Sequence, residues 1–442
     1  MYSSVRDRPA VDAAAAGPAR VEAAGAKGSG SGRPPRIARN VWFLGLTSLF
    51  TDISSEMVNA ILPLYLIVVV GFSPIGFGIF DGAYQGMTGV LRIAGGVFAD
   101  RRRRYKEVAA AGYAVSAAAK LGLLASRAWA PTTGVLLLDR TGKGVRTAPR
   151  DALISLSSVP SRLGESFGVH RALDTAGALV GPILAFQLLS RVHGGYDVVF
   201  VFSFCIALVG LGVLCFFVRN HAVEKAEPAP ETTSGSPAST PSLRSATRLL
   251  WIPEFRRLVV VGAGLGLATV SDAFIYLVFQ RRSGMEPTAF PLLFVGTAVA
   301  YLLLAVPAGR LADRVGRAPV FLAGYGLLAG CYAALGQVSG SGLAVRLLVL
   351  GLLGAYYAFT DGVLMALAST TVPAELRTSG LALLTTVTAT ARFVASIVFG
   401  ALWTWRGTDS AVACFLAALV VALAVSALVL RGRPSRRPGV AV

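Results

Sequence analysis

The stretches GGVFADRRRR at residues 95–104 and GRLADRVGR at residues 309–317 are two versions of one pattern. Each closes an apolar run with Ala-Asp and then arginines. Val159-Pro160 and Val372-Pro373 are separated by the same interval as Asp100 and Asp313. Two unrelated markers with one offset indicate an internal repeat. Thr51-Asp52 and Ser271-Asp272 correspond more loosely.

Working outward from these markers, the chain falls into apolar runs near 41–70, 75–98, 106–126, 132–157, 164–190 and 197–218, then 256–279, 288–309, 318–338, 342–370, 377–403 and 409–430. A membrane-spanning helix needs about 20 residues. The runs predict an all-α integral membrane protein with twelve spans in two six-helix halves. Composition agrees, with 442 residues, 54% hydrophobic, 14% charged and a mean hydropathy of +0.65. Soluble domains carry about 25% charged residues. The segment EPAPETTSGSPASTPS (227–242) reads as a flexible linker. The expected layout is a basic tail over 1–40, a first bundle over 41–218, a linker over 219–254, a second bundle over 255–430 and a basic tail over 431–442.

The net charge of +18 raises the question of nucleic acid. Its distribution argues otherwise, because the basic residues sit mostly in short loops and in the tails. Arg127, Arg191, Arg281, Arg282 and Arg406 fall on the opposite side. That asymmetry sets orientation in a bilayer, with both termini cytoplasmic in the cell membrane. Cys205, Cys215, Cys331 and Cys414 lie in apolar runs without metal-type spacing, and His170, His193 and His221 are scattered. No metal, cofactor or enzymatic centre is expected.

The repeated stretches and two further motifs resemble the major facilitator superfamily of secondary transporters. The loop motif is matched by Gly96, Asp100, Arg101 and Arg104, with Arg103 where glycine is usual. It is matched again by Gly309, Leu311, Ala312, Asp313, Arg314, Gly316 and Arg317. The fourth span carries Arg140 and Gly144; the fifth carries Gly168, Gly177, Gly181 and Pro182, ending in Ala185-Phe186 rather than Gly-Gly. The resemblance implies two bundles moving around a central site, and the fifth-span motif implies proton-coupled export. It also implies a gate latch at Asp100, Arg101 and Arg104 with Asp151 as partner, and Asp313, Arg314 and Arg317 as counterparts. TDISSEM (51–57) and DRTGKGVRTAPRDALIS (139–155) resemble a bacterial and archaeal subgroup of undefined substrate.

Charges inside the spans mark the candidate site. One ionised group at mid-bilayer costs at least about 2.5–3.5 kcal/mol on insertion scales. Asp52 and Glu56 share a face of the first span. Asp139, Lys143, Arg146 and Arg150 form a polar stripe on the fourth, with Arg140 beside it. His170 and Asp174 are one turn apart on the fifth, next to Arg171. Asp52, Glu56, Arg140, His170 and Asp174 are candidates for proton coupling, since adjacent acids and a histidine can hold a proton near neutral pH. Asp81, Lys143, Arg146, Arg171, Asp272, Asp361 and Arg392 are candidates for the substrate cavity. The second half has few charges, which suggests that the first half couples and the second shapes the pocket. Tyr356, Tyr357 and Phe359 are aromatic candidates for its wall.

The expected function is secondary transport by a monomer in the lipid bilayer, with protons as coupling ion and a small organic molecule as cargo: an efflux antiporter. Uptake or exchange of an anionic metabolite, with Arg140, Arg146 and Arg171 as the anion site, is one alternative. A non-transporting sensor or scaffold is another, although the tails and linker are short and polar.

Overall fold

In a bilayer every backbone polar group needs an internal partner, so long apolar runs become helices. The computed structural model describes residues 37–102, 104–159, 162–220, 249–339, 342–361, 363–372 and 377–431, and among these it contains helices and no strand. Most of both expected tails, most of the linker, Arg103, Pro160 and Pro373 lie outside the described residues, as do the side chains of Arg92 and Asp100.

The first half comprises α1 (Arg39–Val68), α2 (Pro74–Arg102), α3 (Tyr105–Ala125), α4 (Trp129–Leu156), α5 (Leu163–Arg191) and α6 (Tyr196–Phe217). The second comprises α7 (Pro253–Leu267), α8 (Asp272–Ser283), α9 (Leu292–Val315), α10 (Arg317–Leu335), α11 (Leu343–Thr360), α12 (Val363–Thr371) and α13 (Arg377–Arg431). Non-helical backbone at Gly407 (φ 81°) divides α13 into two arms. Pairing repeats between the halves. α1 packs on α5 and α6, as α7 packs on α13; α2 and α3 pack on α4, as α9 and α10 pack on α11. The repeat read from the loop markers is therefore a repeat of packing.

Two expected spans are broken rather than continuous. The run 256–279 is interrupted between Leu267 and Asp272, and 342–370 is interrupted at Asp361, whose backbone is extended (φ −65°, ψ 126°). Ser271 stands at the helix-start position of α8 and Asp272 in its first turn, where a carboxylate suits the helix dipole. The freed backbone is satisfied locally. The Tyr332 hydroxyl accepts from Val270 N at 2.8 Å and donates to Ala268 O at 3.5 Å.

Large apolar side chains such as Phe216, Leu303, Leu343 and Leu428 project outward and are exposed, as in a lipid-facing surface. The halves meet at the end away from the chain termini. There α2 and the first arm of α13 pack backbone to backbone: a Cβ on Gly400 would strike Pro74, one on Gly78 would strike Ser396, and one on Gly82 would strike Phe393. Phe77, Phe274 and Phe399 pack edge-on and tilted across the same seam, with ring centroids 5.0 and 4.9 Å apart. One turn further toward the termini, at Gly86, nothing lies within 4 Å of a Cβ.

Candidate functional site

On α1, Ser48, Asp52, Glu56 and Asn59 recur at steps of four, four and three, which puts them on one face. That face meets α5. A Cβ on Gly177 would lie 2.6 Å from the Leu49 carbonyl oxygen, and one on Gly181 would lie 2.7 Å from that of Ile53. Any larger residue at either position would push the helices apart. This close approach brings the Asp52 and Asp174 carboxyl groups within hydrogen-bonding reach of each other. The Ser48 hydroxyl donates to Asp174 Oδ1 at 3.0 Å and accepts from Arg150 Nη1 at 3.0 Å. Arg150 stands 3.8 Å from Asp174 and also donates to Asp151 at 3.0 Å. His170, one turn before Asp174, is buried, and neither ring nitrogen has a hydrogen-bond partner among the described residues.

A second set of contacts continues along α1. Lys143 Nζ is 3.7 Å from Glu56 Oε1, which also accepts from Asn59 Nδ2 at 3.0 Å. Asn59 Oδ1 accepts from Arg140 Nη2 and from the Tyr84 hydroxyl, each at 2.9 Å. The Arg140 guanidinium lies 3.6 Å above the Tyr84 ring, a cation–π geometry. Toward α3, Asp139 is 3.5 Å from Lys120 and accepts from Ser116 at 2.5 Å. Arg146 lies 4.3 Å above the Tyr113 ring. The α4 stripe thus shares an arc but not a destination. Lys143 and Arg150 reach α1 and α5, while Asp139 and Arg146 turn toward α3.

Between the halves is a cavity of about 460 Å³. Of the residues expected to line a substrate cavity, Asp81, Asp272, Asp361 and Arg392 line this one, whereas Lys143, Arg146 and Arg171 do not. Asp81 accepts from Ser396 at 3.1 Å, across the seam between halves. Asp272 accepts from the Tyr357 hydroxyl at 2.5 Å and Asp361 from that of Tyr301 at 3.3 Å. Arg392 donates to the Tyr356 hydroxyl at 3.1 Å. Of the aromatic candidates, Tyr357 lines the cavity.

At the terminus end, Arg101, Arg104, Asp313 and Arg314 are exposed. The Asp100 side chain lies outside the described ones, so its expected pairing with Asp151 has no geometry. Gly316 turns the chain between α9 and α10 with φ 104°, a backbone that favours glycine, and Arg317 donates to Ala366 O of α12 at 3.2 Å. In α5, Gly168 meets nothing within 4 Å, Arg171 is exposed, and Pro182 is buried within the helix.

Residues overlooked by sequence reasoning are Ser48, Asn59, Tyr84, Tyr301 and Ser116. A signal existed for Asn59, which extends the register of Asp52 and Glu56. The tyrosines gave none, because an aromatic in an apolar run reads as core.

The family model described as Major Facilitator Superfamily matches residues 44–291 and 258–441. An uncharacterised MFS-type transporter of Methanocaldococcus jannaschii is 29% identical over 376 residues, covering 83% of this chain and 89% of that protein. The nucleoside transporter NupG is similar in fold, with a TM-score of 0.71 at 14% identity over 89% of this chain and all of NupG. A POT family transporter solved with 5-aminolevulinic acid gives 0.70 at 14% identity, over 89% of this chain and 96% of that one. At such identities the two structures speak to fold alone. Family match, paired bundles and intervening cavity converge: the chain belongs to the Major Facilitator Superfamily, whose members are secondary transporters.

Proposed function

We infer that this transporter works by alternating access and exports a small organic molecule in exchange for protons. The observation that carries the reading is the meeting of Asp52 on α1 with Asp174 on α5. Two carboxyl groups that close repel unless a proton sits between them. When the proton leaves, the repulsion acts across a helix pair that Gly177 and Gly181 hold at backbone contact. Arg150, 3.8 Å from Asp174, takes up part of the charge. The protonated and deprotonated forms therefore favour different arrangements, and a difference in free energy between states is what coupling requires.

The seam at Gly78, Gly82 and Gly400 closes one end, and the free space at Gly86 lies toward the termini. With cytoplasmic termini, this state faces the cytoplasm, where an exporter loads its substrate and an importer releases it. The glycine motif of α5 is what favours export. Anion uptake through Arg140, Arg146 and Arg171 has less support, because Arg140 and Arg146 are engaged by the Tyr84 and Tyr113 rings.

The test is transport in sealed vesicles with an imposed pH gradient and a panel of labelled compounds. Export is expected to fall to background when the gradient is dissipated. Asp52→Asn is expected to lower gradient-driven export at least about tenfold, a barrier change of about 1.4 kcal/mol. Flux indifferent to the gradient would make the protein a uniporter instead.

A further inference from the structure

The cavity between the halves is unbalanced in charge, and the imbalance identifies a class of cargo. Its wall carries three carboxylates, Asp81, Asp272 and Asp361, against the single guanidinium of Arg392. The groups that hold two of these residues are uncharged. Asp272 and Asp361 are oriented by the hydroxyls of Tyr357 and Tyr301, neutral donors that fix a carboxylate without cancelling it. Among the described residues, neither has a Lys or Arg within 4.0 Å, in contrast to Asp139, Glu56, Asp151 and Asp174 of the first half. Arg392 is itself turned toward the Tyr356 hydroxyl.

Position adds to the argument. Asp272 begins α8 and Asp361 follows α11, so both stand at helix breaks. Broken helices are where transporters of this general plan expose groups to a ligand at mid-membrane depth. Asp361 is exposed and Asp272 part-buried, so both remain within reach of a molecule in the cavity. Asp272, part-buried and held by a neutral hydroxyl, gains further from a positive charge that enters the cavity. Phe321, Tyr325 and Phe393 complete the wall with aromatic surface that attracts a cation's apolar body and its charge. The volume lies within the ordinary range for small-molecule sites, about 300–1,000 Å³.

We propose that the cargo is a small organic cation, an apolar body bearing one positively charged nitrogen, which settles against Asp272 and Asp361. The proposal rests on the reading of this cavity as the transport site.

The experiment uses the full chain in lipid nanodiscs and compares three benzyl compounds of similar size by titration calorimetry: benzyltrimethylammonium, phenylacetate and benzyl alcohol. The cation is expected to bind at least about tenfold more tightly than the other two. Asp361→Asn and Asp272→Asn are each expected to weaken cation binding by a similar factor. Asp197→Asn, which removes an equal charge at an exposed pair with Arg127, is expected to leave it unchanged. Equal or tighter binding of phenylacetate, no saturable binding of the cation, or indifference to both cavity substitutions overturns the proposal. The comparison of ligands on the unmodified protein needs no variant to fold.

Spin-label distances between the two halves, measured at the terminus end in acidic and alkaline buffers, separate the two levels of inference. Movement without preference for the cation overturns the cargo class and leaves alternating access standing. A fixed distance together with no binding overturns both.

Discussion

The two halves share a packing plan and differ in what they do with charge. In the first half, acids meet bases: Asp139 with Lys120, Glu56 with Lys143, and Asp174 and Asp151 with Arg150. In the second, the cavity acids meet tyrosine hydroxyls, Asp272 with Tyr357 and Asp361 with Tyr301. A repeated fold thus carries two electrostatic designs. Cross-linked ion pairs bind α1, α3, α4 and α5 into a unit whose energy depends on protonation. Carboxylates held by neutral donors keep their charge available to something that enters the cavity.

The largest effect that would sharpen this contrast is expected at Lys120→Met. Lys120 is buried, and its loss leaves Asp139 without its ion-pair partner. Breaking a buried pair from one side costs about 3–5 kcal/mol. Thermal unfolding in detergent should show a large drop in midpoint, and adding Asp139→Leu should restore most of it. A single variant as stable as the parent would mean that the first-half pairs are decorative.

A smaller effect is expected at Tyr357→Phe, which removes the donor to Asp272. Hydrogen bonds to charged groups contribute about 1.5–3 kcal/mol. The second-half design would be misread if this change destabilised the protein as much as Lys120→Met in the same unfolding assay. The smallest effect is expected at Arg127→Ala. Arg127 and Asp197 form an ion pair at 2.8 Å with both side chains more than half exposed, and exposed pairs contribute about 0–1 kcal/mol. A larger drop there would show that burial is not what distinguishes the first-half network.

Much of the fold is legible in the sequence. Length of apolar run, loop basicity and the paired Asp100 and Asp313 markers report on local composition, which is what a bilayer selects. The charge of Asp361 marked the run 342–370 as interrupted, but the break at 268–271 was not legible, because hydropathy averages over a break that polar side chains such as Tyr332 make tolerable. For the site, Asp52, Glu56, Asp174, Asp272 and Asp361 stood out because a charge in an apolar run is costly. Their uncharged partners stood out less. Asn59 and Ser48 are modest polar residues, and Tyr84 and Tyr301 have apolar bodies that hide their hydroxyls in any composition count.

The amino-acid sequence alone determined that the chain crosses the membrane as two related bundles, and which ionisable groups it carries within them. Those properties follow from transfer free energies of consecutive residues. Only the tertiary structure decided which charges meet. Asp52 reaches Asp174 because glycines at 177 and 181 let two helices touch, and Asp139 and Arg146 turn toward α3 because Ser116, Lys120 and Tyr113 are there. Such pairings depend on distances between residues far apart in the chain, and those are set by packing rather than by the run of side chains along one helix.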